Sequence, residues 1–358
     1  MSCVASVPTQ PMTPDAPRMV VAGATGFTGA LAAHLLWRHP DFELVAVTGR
    51  SEVGRELRDV YPRYRVPLRF QELDVESLGG IDAAVVAYPH AAAAPTVAAL
   101  RERGIRVVDL SADFRLRSLA SYEHWYGEHP RPELIEDAVY GLTELHREQI
   151  AGAGLVANPG CYPTASLLAL APLARAGLIA DVVIDAKQGI SGAGRVFDET
   201  THLSMAGENI VPYKVAAHRH TPEIEEQLSA LASASCSDED AFGPELKVQF
   251  QAHLVPLDQG EMASCYVTTT RPVVAEELRV IYLEAYHDEP FVELLLDGPP
   301  GVLEVRETNY CRVFAAADEH TGKVIAFGAI DNLWKGTSSQ AVQNLNLMFG
   351  YPETRGLL

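Results

Sequence analysis

The chain is poor in positive charge: lysine and arginine number 28 against 47 aspartates and glutamates, a formal net charge of −19 over 358 residues. Such a surface repels phosphate backbones, so no nucleic-acid partner is expected. Cysteine is scarce. The five residues Cys3, Cys161, Cys236, Cys265 and Cys311 form no CxxC pair. An odd, scattered set does not build a disulfide framework, and a cytoplasmic location is the expectation. No apolar run reaches the ~18 residues needed to cross a bilayer, so no membrane partner is expected. The first residues lack the basic and apolar regions of a secretory signal. Their Pro, Ser and Thr content predicts a disordered tail over residues 1–17. His218 and His220 are close together, but no further compact ligand set accompanies them, and no metal is expected. None of the thirteen tyrosines has a lysine four residues on, which removes the proton-transfer pair of short-chain reductases.

What is present reads as alternating strands and helices. MVVAG (19–23) is a buried strand, followed by a glycine-rich turn and the helical ALAAHLLWRH. FELVAVTGR (42–50), DAAVVAYP (82–89) and IRVVDLS (105–111) continue the rhythm, with a helix at 94–104. This pattern predicts a parallel, doubly wound sheet, an α/β fold of Rossmann type. After Asn158 comes a helix at 164–177. The strands at 181–189, 246–257, 262–273 and 323–330 are longer and more alternating, which predicts a mixed sheet. SASCSDEDAFGPE (233–245) reads as a surface loop. A last helix at about 335–349 is expected to return to the first domain.

Gly23-Ala24-Thr25-Gly26-Phe27-Thr28-Gly29 lies at a strand-to-helix turn. Glycines there allow a tight turn and close approach of a pyrophosphate to the helix N-terminus. Gly23, Thr25, Gly26, Phe27, Thr28 and Gly29 are therefore candidate cofactor contacts. The second strand ends in Thr48-Gly49-Arg50-Ser51, with no acidic residue before Glu52. An acid there would hold a ribose 2′-hydroxyl, whereas Arg50 and Ser51 suit a 2′-phosphate, so NADP(H) is the expected cofactor.

Asn158-Pro159-Gly160-Cys161-Tyr162-Pro163-Thr164-Ala165 sets a cysteine at a turn facing a helix start. The helix dipole and free N–H groups favour a thiolate there and could hold an oxyanion. His218-Arg219-His220-Thr221-Pro222-Glu223 supplies a candidate base for that thiol, with Glu223 placed to orient a ring. Either histidine could serve. Arg115 at the end of Asp109–Arg115, Arg195 at the end of Ser191–Arg195, and Arg219 are candidate clamps for an anionic substrate.

GATGFTG, DLSADFRL, VYGL, NPGCYPTA, SGAGR, HRHTPE and DNLWKG, in this order, resemble the N-acetyl-gamma-glutamyl-phosphate reductase family of arginine biosynthesis. The resemblance runs from about Val20 to Phe349. It implies a Rossmann NADP-binding domain formed by 18–160 and 331–358. It further implies a catalytic and dimerisation domain at 161–330, in the manner of glyceraldehyde-phosphate dehydrogenase. Cys161 matches the nucleophile and His220 the acid/base, with His218 close enough to compete. Tyr88 and Pro89, Ser191 and Gly192, and Asn332 and Lys335 fall at the cofactor. Asn158, His218, Arg219 and Glu223 join Arg115 and Arg195 at the substrate. The implied reaction is the NADPH-dependent reduction of a small acyl phosphate to an aldehyde through a thioester, in a homodimer or homotetramer. Ala91, Thr143, Gln188 and Gln259 depart from the usual Gly, Pro, Ser and Arg. A close alternative keeps the chemistry but takes a carrier-protein-bound aminoadipyl phosphate in lysine synthesis. The acidic net charge argues against docking an acidic carrier. An NADP-binding sensor on the same fold would not need Cys161 and His220 together.

Overall fold

The computed structural model describes residue 10 and residues 15–195, 199–234 and 245–358. The expected tail lies largely outside the described residues, as does most of the 233–245 loop. The chain divides into two compact units. Unit 1 comprises residues up to Pro159 and again from Thr337, and unit 2 runs from Gly160 to Gly336.

Unit 1 is built on seven parallel strands: β1 (Arg18–Ala22), β2 (Glu43–Thr48), β3 (Phe70–Gln71), β4 (Ala83–Val86), β5 (Arg106–Asp109), β6 (Ala138–Tyr140) and β7 (Leu155–Ala157). Their order is β3-β2-β1-β4-β5-β7-β6. The order reverses between β1 and β4, and open α/β sheets bind ligands at such a switch point. β1 and β4 are buried on both faces, which is why they read as continuous apolar runs rather than alternating ones. β3, β6 and β7 have two or three residues each, too few for a pattern, and were not legible in the sequence.

The helix Ser339–Met348 belongs to unit 1 and has buried polar residues facing Gly141 and Thr143. Gln340 Nε2 donates to Thr143 Oγ1 at 2.8 Å, and Thr143 Oγ1 donates to Asn344 Oδ1 at 2.9 Å. The departure to Thr143 thus supplies a hydroxyl that ties the C-terminal helix to the rest of the unit. Ala91 has φ +62°, the left-handed conformation that explains why glycine suits this position. Two hydrogen bonds to the Asp113 carboxylate, from the Ala91 and Ala94 N–H groups, hold the segment there.

Unit 2 carries a mixed seven-stranded sheet: β8 (Ile179–Gln188), β9 (Val211–Tyr213), β10 (Val248–Leu254), β11 (Glu261–Thr269), β12 (Val292–Leu294), β13 (Cys311–Asp318) and β14 (Lys323–Ile330), in the order β12-β13-β14-β11-β8-β10-β9. β11 runs antiparallel to both β8 and β14. The helix Cys161–Arg175 covers one face, and its residues from Tyr162 to Ala174 are all buried. Close approach is possible because Gly328 has no Cβ. One built there would stand 2.2 Å from the Ala165 carbonyl oxygen. The row beneath the helix runs Val182, Ile184, Ala186, Gln188 on β8 and Glu261, Ala263, Cys265, Val267 on β11, all buried. The opposite face is only part-buried, with Tyr266 among its exposed residues.

Candidate active site

In unit 1 the glycine loop follows β1 and opens the helix Phe27–Arg38. Its three glycines differ in what they require. A Cβ on Gly23 would lie 2.6 Å from the Ala87 carbonyl oxygen, and one on Gly29 would lie 2.4 Å from the Gly23 oxygen. A Cβ on Gly26 would meet nothing within 4 Å. Gly23 and Gly29 are thus demanded by the fold, and Gly26 faces open space at an N-terminus with no side-chain cap. That open cradle of N–H groups fits a pyrophosphate. Gly26→Ala is expected to leave the melting temperature unchanged and weaken NADPH binding at least about tenfold, because a methyl would fill the approach. Gly29→Ala is expected to cost about 1–3 kcal/mol of stability through overpacking. Thermal melts and NADPH titration of both variants check the contrast.

Beyond the loop, Gly49, Arg50, Glu72, Leu73, Val75, Tyr88, Pro95, Thr96 and Ala99 line a cavity of about 580 Å³. Arg50 is exposed on it. The nearest acid in sequence, Glu52, is paired to Arg55 at 2.7 Å. The side suited to a 2′-phosphate therefore keeps its cation. Tyr88 lines the same cavity and reaches Thr48 Oγ1 at 3.5 Å.

Two substrate candidates in unit 1 spend their polar groups on the chain itself. Arg115 is buried, and its Nε and Nη2 donate to the carbonyls of Asn158 and Leu110. Asn158 is fully buried. It donates to Thr337 O at 3.0 Å and accepts from Asn344 Nδ2 at 3.1 Å. Both brace the loop ahead of the cysteine. The DLSADFR segment is likewise ordered internally. Ser111 Oγ donates to Asp109 Oδ2 at 2.6 Å, and burial pushes the Asp109 carboxyl up to about 7.

In unit 2, Cys161 is the first residue of the helix Cys161–Arg175, whose N-cap Gly160 has no side chain to satisfy the end. Pro163 removes one N–H from the first turn. The Gly160 N–H donates to Glu223 Oε1 at 2.9 Å, so Glu223 braces the turn before the cysteine. The Cys161 thiol takes a hydrogen bond from Gln188 Nε2 at 3.0 Å. Gln188 Nε2 also donates to Glu261 Oε2 at 2.8 Å. Glu261 and Gln188 are directly opposite each other in the β8–β11 ladder, so their side chains meet on the helix-facing side.

Burial pushes the Cys161 thiol well up, and the Glu261 charge adds to this. The Tyr162 N–H and Gln188 work against them. The sequence led us to expect a thiolate favoured by the helix dipole; desolvation outweighs that dipole, and the resting group is a thiol. Burial also raises Glu261, to about 8.

His218 and His220 flank the turn before the helix Thr221–Ser233, and their roles separate. His218 is buried with its ring against Tyr162, Tyr213 and Phe250 at 4.9–5.6 Å. Burial, then the Lys214 charge, lowers it to about 3, and its Nδ1 accepts the His220 N–H. It is a neutral packing residue. His220 is less buried and packs edge-on to Tyr162, the residue after the cysteine, at 5.9 Å. Among the described residues neither histidine hydrogen-bonds the sulfur.

Ser191 and Asn332, expected at the cofactor, clip the loops around the cysteine. Asn332 Nδ2 donates to Ser191 Oγ, Ser191 Oγ donates to Asp258 O, and Asn332 Oδ1 accepts the Gly260 N–H. Gly192 leaves room for the Gln188 amide, since a Cβ there would lie 2.2 Å from its carbon. Lys335 is fully buried, with its Nζ 5.6 Å from the Phe291 ring centroid. Gln259 Nε2 faces Asp331 at 3.2 Å, an amide where a cation is usual. Arg195 is exposed and Arg219 half-buried. Glu261 was missed in the sequence because the strand was started at Met262. Extending its alternation back one residue places Glu261 in the buried row, where a carboxyl is conspicuous.

Residues 18–153 match the NAD-binding domain of semialdehyde dehydrogenases, and residues 161–332 match their dimerisation domain. An N-acetyl-gamma-glutamyl-phosphate reductase of Moorella thermoacetica is 48% identical, over 94% of this chain and 96% of its own length. The chain belongs to the N-acetyl-gamma-glutamyl-phosphate reductase family. The enzyme of that name from Desulforudis audaxviator is also 48% identical, over 94% of this chain and 97% of its own. Aspartate semialdehyde dehydrogenase II of Vibrio cholerae, solved with ASA, shares the fold, with a TM-score of 0.70 at 19% identity over 94% of this chain and 99% of that one. The enzyme from Candida albicans, solved with NADP, has a TM-score of 0.64 at 18% identity, over 94% and 99% of the two chains. The expected α/β fold, a Rossmann domain plus a mixed-sheet domain, is thus shown. Among the described residues no helix is long and apolar enough to cross a membrane. Nor does any group of three or more His, Cys, Asp or Glu there stand ready to hold a metal.

Proposed function

We propose that Cys161 is the nucleophile and His220 the acid/base of the family reaction. That reaction is the NADPH-dependent reductive dephosphorylation of N-acetyl-L-glutamyl 5-phosphate to N-acetyl-L-glutamate 5-semialdehyde, a step of arginine biosynthesis. The names of these relatives do not favour the carrier-bound aminoadipyl alternative. The observation that carries the residue assignment is the half-buried thiol at an uncapped helix start, with a side-chain amide 3.0 Å away.

Unit 1 would hold NADP(H) through the Gly23–Gly29 loop, with Arg50 and Ser51 at the 2′-phosphate. When bound, the cofactor supplies the hydride that reduces the acyl carbon. The sulfur attacks the acyl carbon, phosphate leaves, and a thioester remains on Cys161. The N–H groups at the start of the helix Cys161–Arg175 stabilise the oxyanion. His220 handles the proton of the carbonyl oxygen, and Arg195 and Arg219 stand as candidate cations for the anionic substrate. The covalent link holds the acyl group in place. We infer a homo-oligomer, a dimer or tetramer, from the matched dimerisation domain and the part-buried sheet face of unit 2, and a cytoplasmic location.

The test runs the reaction backwards. Purified protein is mixed with NADP⁺, phosphate and N-acetyl-glutamate 5-semialdehyde, and NADPH is followed by absorbance. Phosphate-dependent NADPH formation is expected. Tight NADPH binding without any signal would send the substrate assignment back to a different acyl group.

A further inference from the structure

The thiol and the Glu261 carboxyl share one side-chain amide, that of Gln188. Glu261 is fully buried at the end of a row that is otherwise apolar on β11, and burying an acid there is costly unless it is used. Among the described residues no lysine, arginine or histidine pairs with it. Its Oε2 takes the Gln188 amide, and its Oε1 has no amide or hydroxyl donor. Across the Gln188 amide its neighbour is the Cys161 thiol. Gln188 spans the two, donating to Sγ at 3.0 Å and to Oε2 at 2.8 Å, which fixes sulfur and carboxyl relative to each other. The remaining groups sensing the carboxyl are Asp331 at the end of β14 and the hydroxyls of Tyr162 and Tyr213, which are 3.1 Å apart. None is a cation.

We propose that Glu261 carries the proton of the Cys161 sulfur through the reaction, held in position by Gln188. This rests on Cys161 being the nucleophile. The Glu261 carboxylate takes the thiol proton as the sulfur electron pair bonds to the acyl carbon and phosphate departs with its own pair. The carboxyl keeps that proton while the thioester stands. After the acyl carbon has been reduced, the carbon–sulfur bond breaks with its pair on sulfur, and Glu261 returns the proton. Thiol and carboxylate are restored; the carboxylate form fills as pH nears about 8, and the pair then carries one negative charge until the thioester forms. Removing both protons would set two buried anions side by side, so the pair ionises once over the working range. His220 is left to serve the oxygen, and one site then uses two bases for two different protons.

The test is the rate at which iodoacetamide alkylates Cys161 in the full-length enzyme, followed by mass of the Cys161 peptide across a pH series. Wild-type reactivity is expected to rise through a single step. Glu261→Gln keeps the shape and an acceptor for Gln188, but the sulfur must then lose its proton alone. The charge that helped to raise the thiol is gone, but burial, the larger cause, still holds it well up; no longer set by the carboxyl near 8, the curve is expected to move up by at least about one pH unit, and alkylation at neutral pH to fall about tenfold or more. The acidic limb of kcat should shift with it while NADPH binding stays unchanged. Should that variant fail to fold, Glu261→Asp keeps a carboxyl one methylene further from sulfur, and its curve should fall above the wild-type midpoint. Coincidence of the curves of a folded variant and the wild type would overturn the proposal. Failure of the nucleophile assignment would show separately, as turnover by Cys161→Ala.

Discussion

Cys161→Ala is expected to abolish phosphate-dependent NADPH formation, a loss on the order of 10⁴-fold or more, while NADPH still binds. The thiol lies in unit 2 and the glycine cradle in unit 1, so removing sulfur leaves the cofactor loop intact. The side chain is small and only half-buried, and without it Gln188 and Glu261 still bond each other at 2.8 Å. The fold should therefore survive, and a thermal melt alongside the assay checks this. Cys161→Ser is expected to be as inactive, because an alkoxide is a far poorer nucleophile at neutral pH. The oxygen ester it could form would also trap the acyl group. Near-wild-type turnover by either variant would remove the covalent mechanism.

His220→Gln is expected to lower kcat by about 10²–10⁴-fold with a smaller change in KM, as for loss of a general acid/base. His218→Asn should behave differently. His218 is held near pKa 3 by burial, so its ring stays uncharged at working pH. Its ring is packed among Tyr162, Tyr213 and Phe250, and its loss should appear mainly as lower stability. The sign follows from its lowered pKa. Between about 3 and the ordinary imidazole value the unfolded chain binds more protons, so the wild type loses stability as pH falls through that window. The loss is up to about 1.4 kcal/mol per pH unit there. His218→Asn should flatten that dependence. Steady-state kinetics and melts from pH 4 to about 8 separate the two residues. A His218 variant that lost kcat as steeply as His220→Gln, with its stability intact, would reverse the assignment.

Much of this site was legible in the sequence because its chemistry sits where local rules are strong. A glycine string between a strand and a helix, and a cysteine just ahead of another helix, are each fixed by a few neighbouring residues. The choice between His218 and His220 was not legible, since it depends on which ring is buried by Phe250, 30 or more positions away. Arg115 and Asn158 read as substrate contacts because a buried cation or amide looks the same in sequence whether its partner is a ligand or a main-chain carbonyl. The structure sends both to the chain itself. Glu261 was lost to a strand boundary one residue short, and boundaries are the weakest part of any pattern reading. Its meaning arises only from the ladder that sets it opposite Gln188, a position far off in sequence. Gln188 itself was visible as a departure from the usual serine; the structure turns that departure into a paired amide and acid beside the thiol.

The central claim is that the acyl group is carried on Cys161. The most direct measurement mixes enzyme with NADP⁺ and N-acetyl-glutamate 5-semialdehyde without phosphate, then reads both NADPH and the mass of the Cys161 peptide. The account predicts a burst of NADPH matching the enzyme present and one N-acetyl-glutamyl group on Cys161, discharged when phosphate is added. Phosphate-dependent turnover with no burst and an unmodified Cys161 peptide would contradict it.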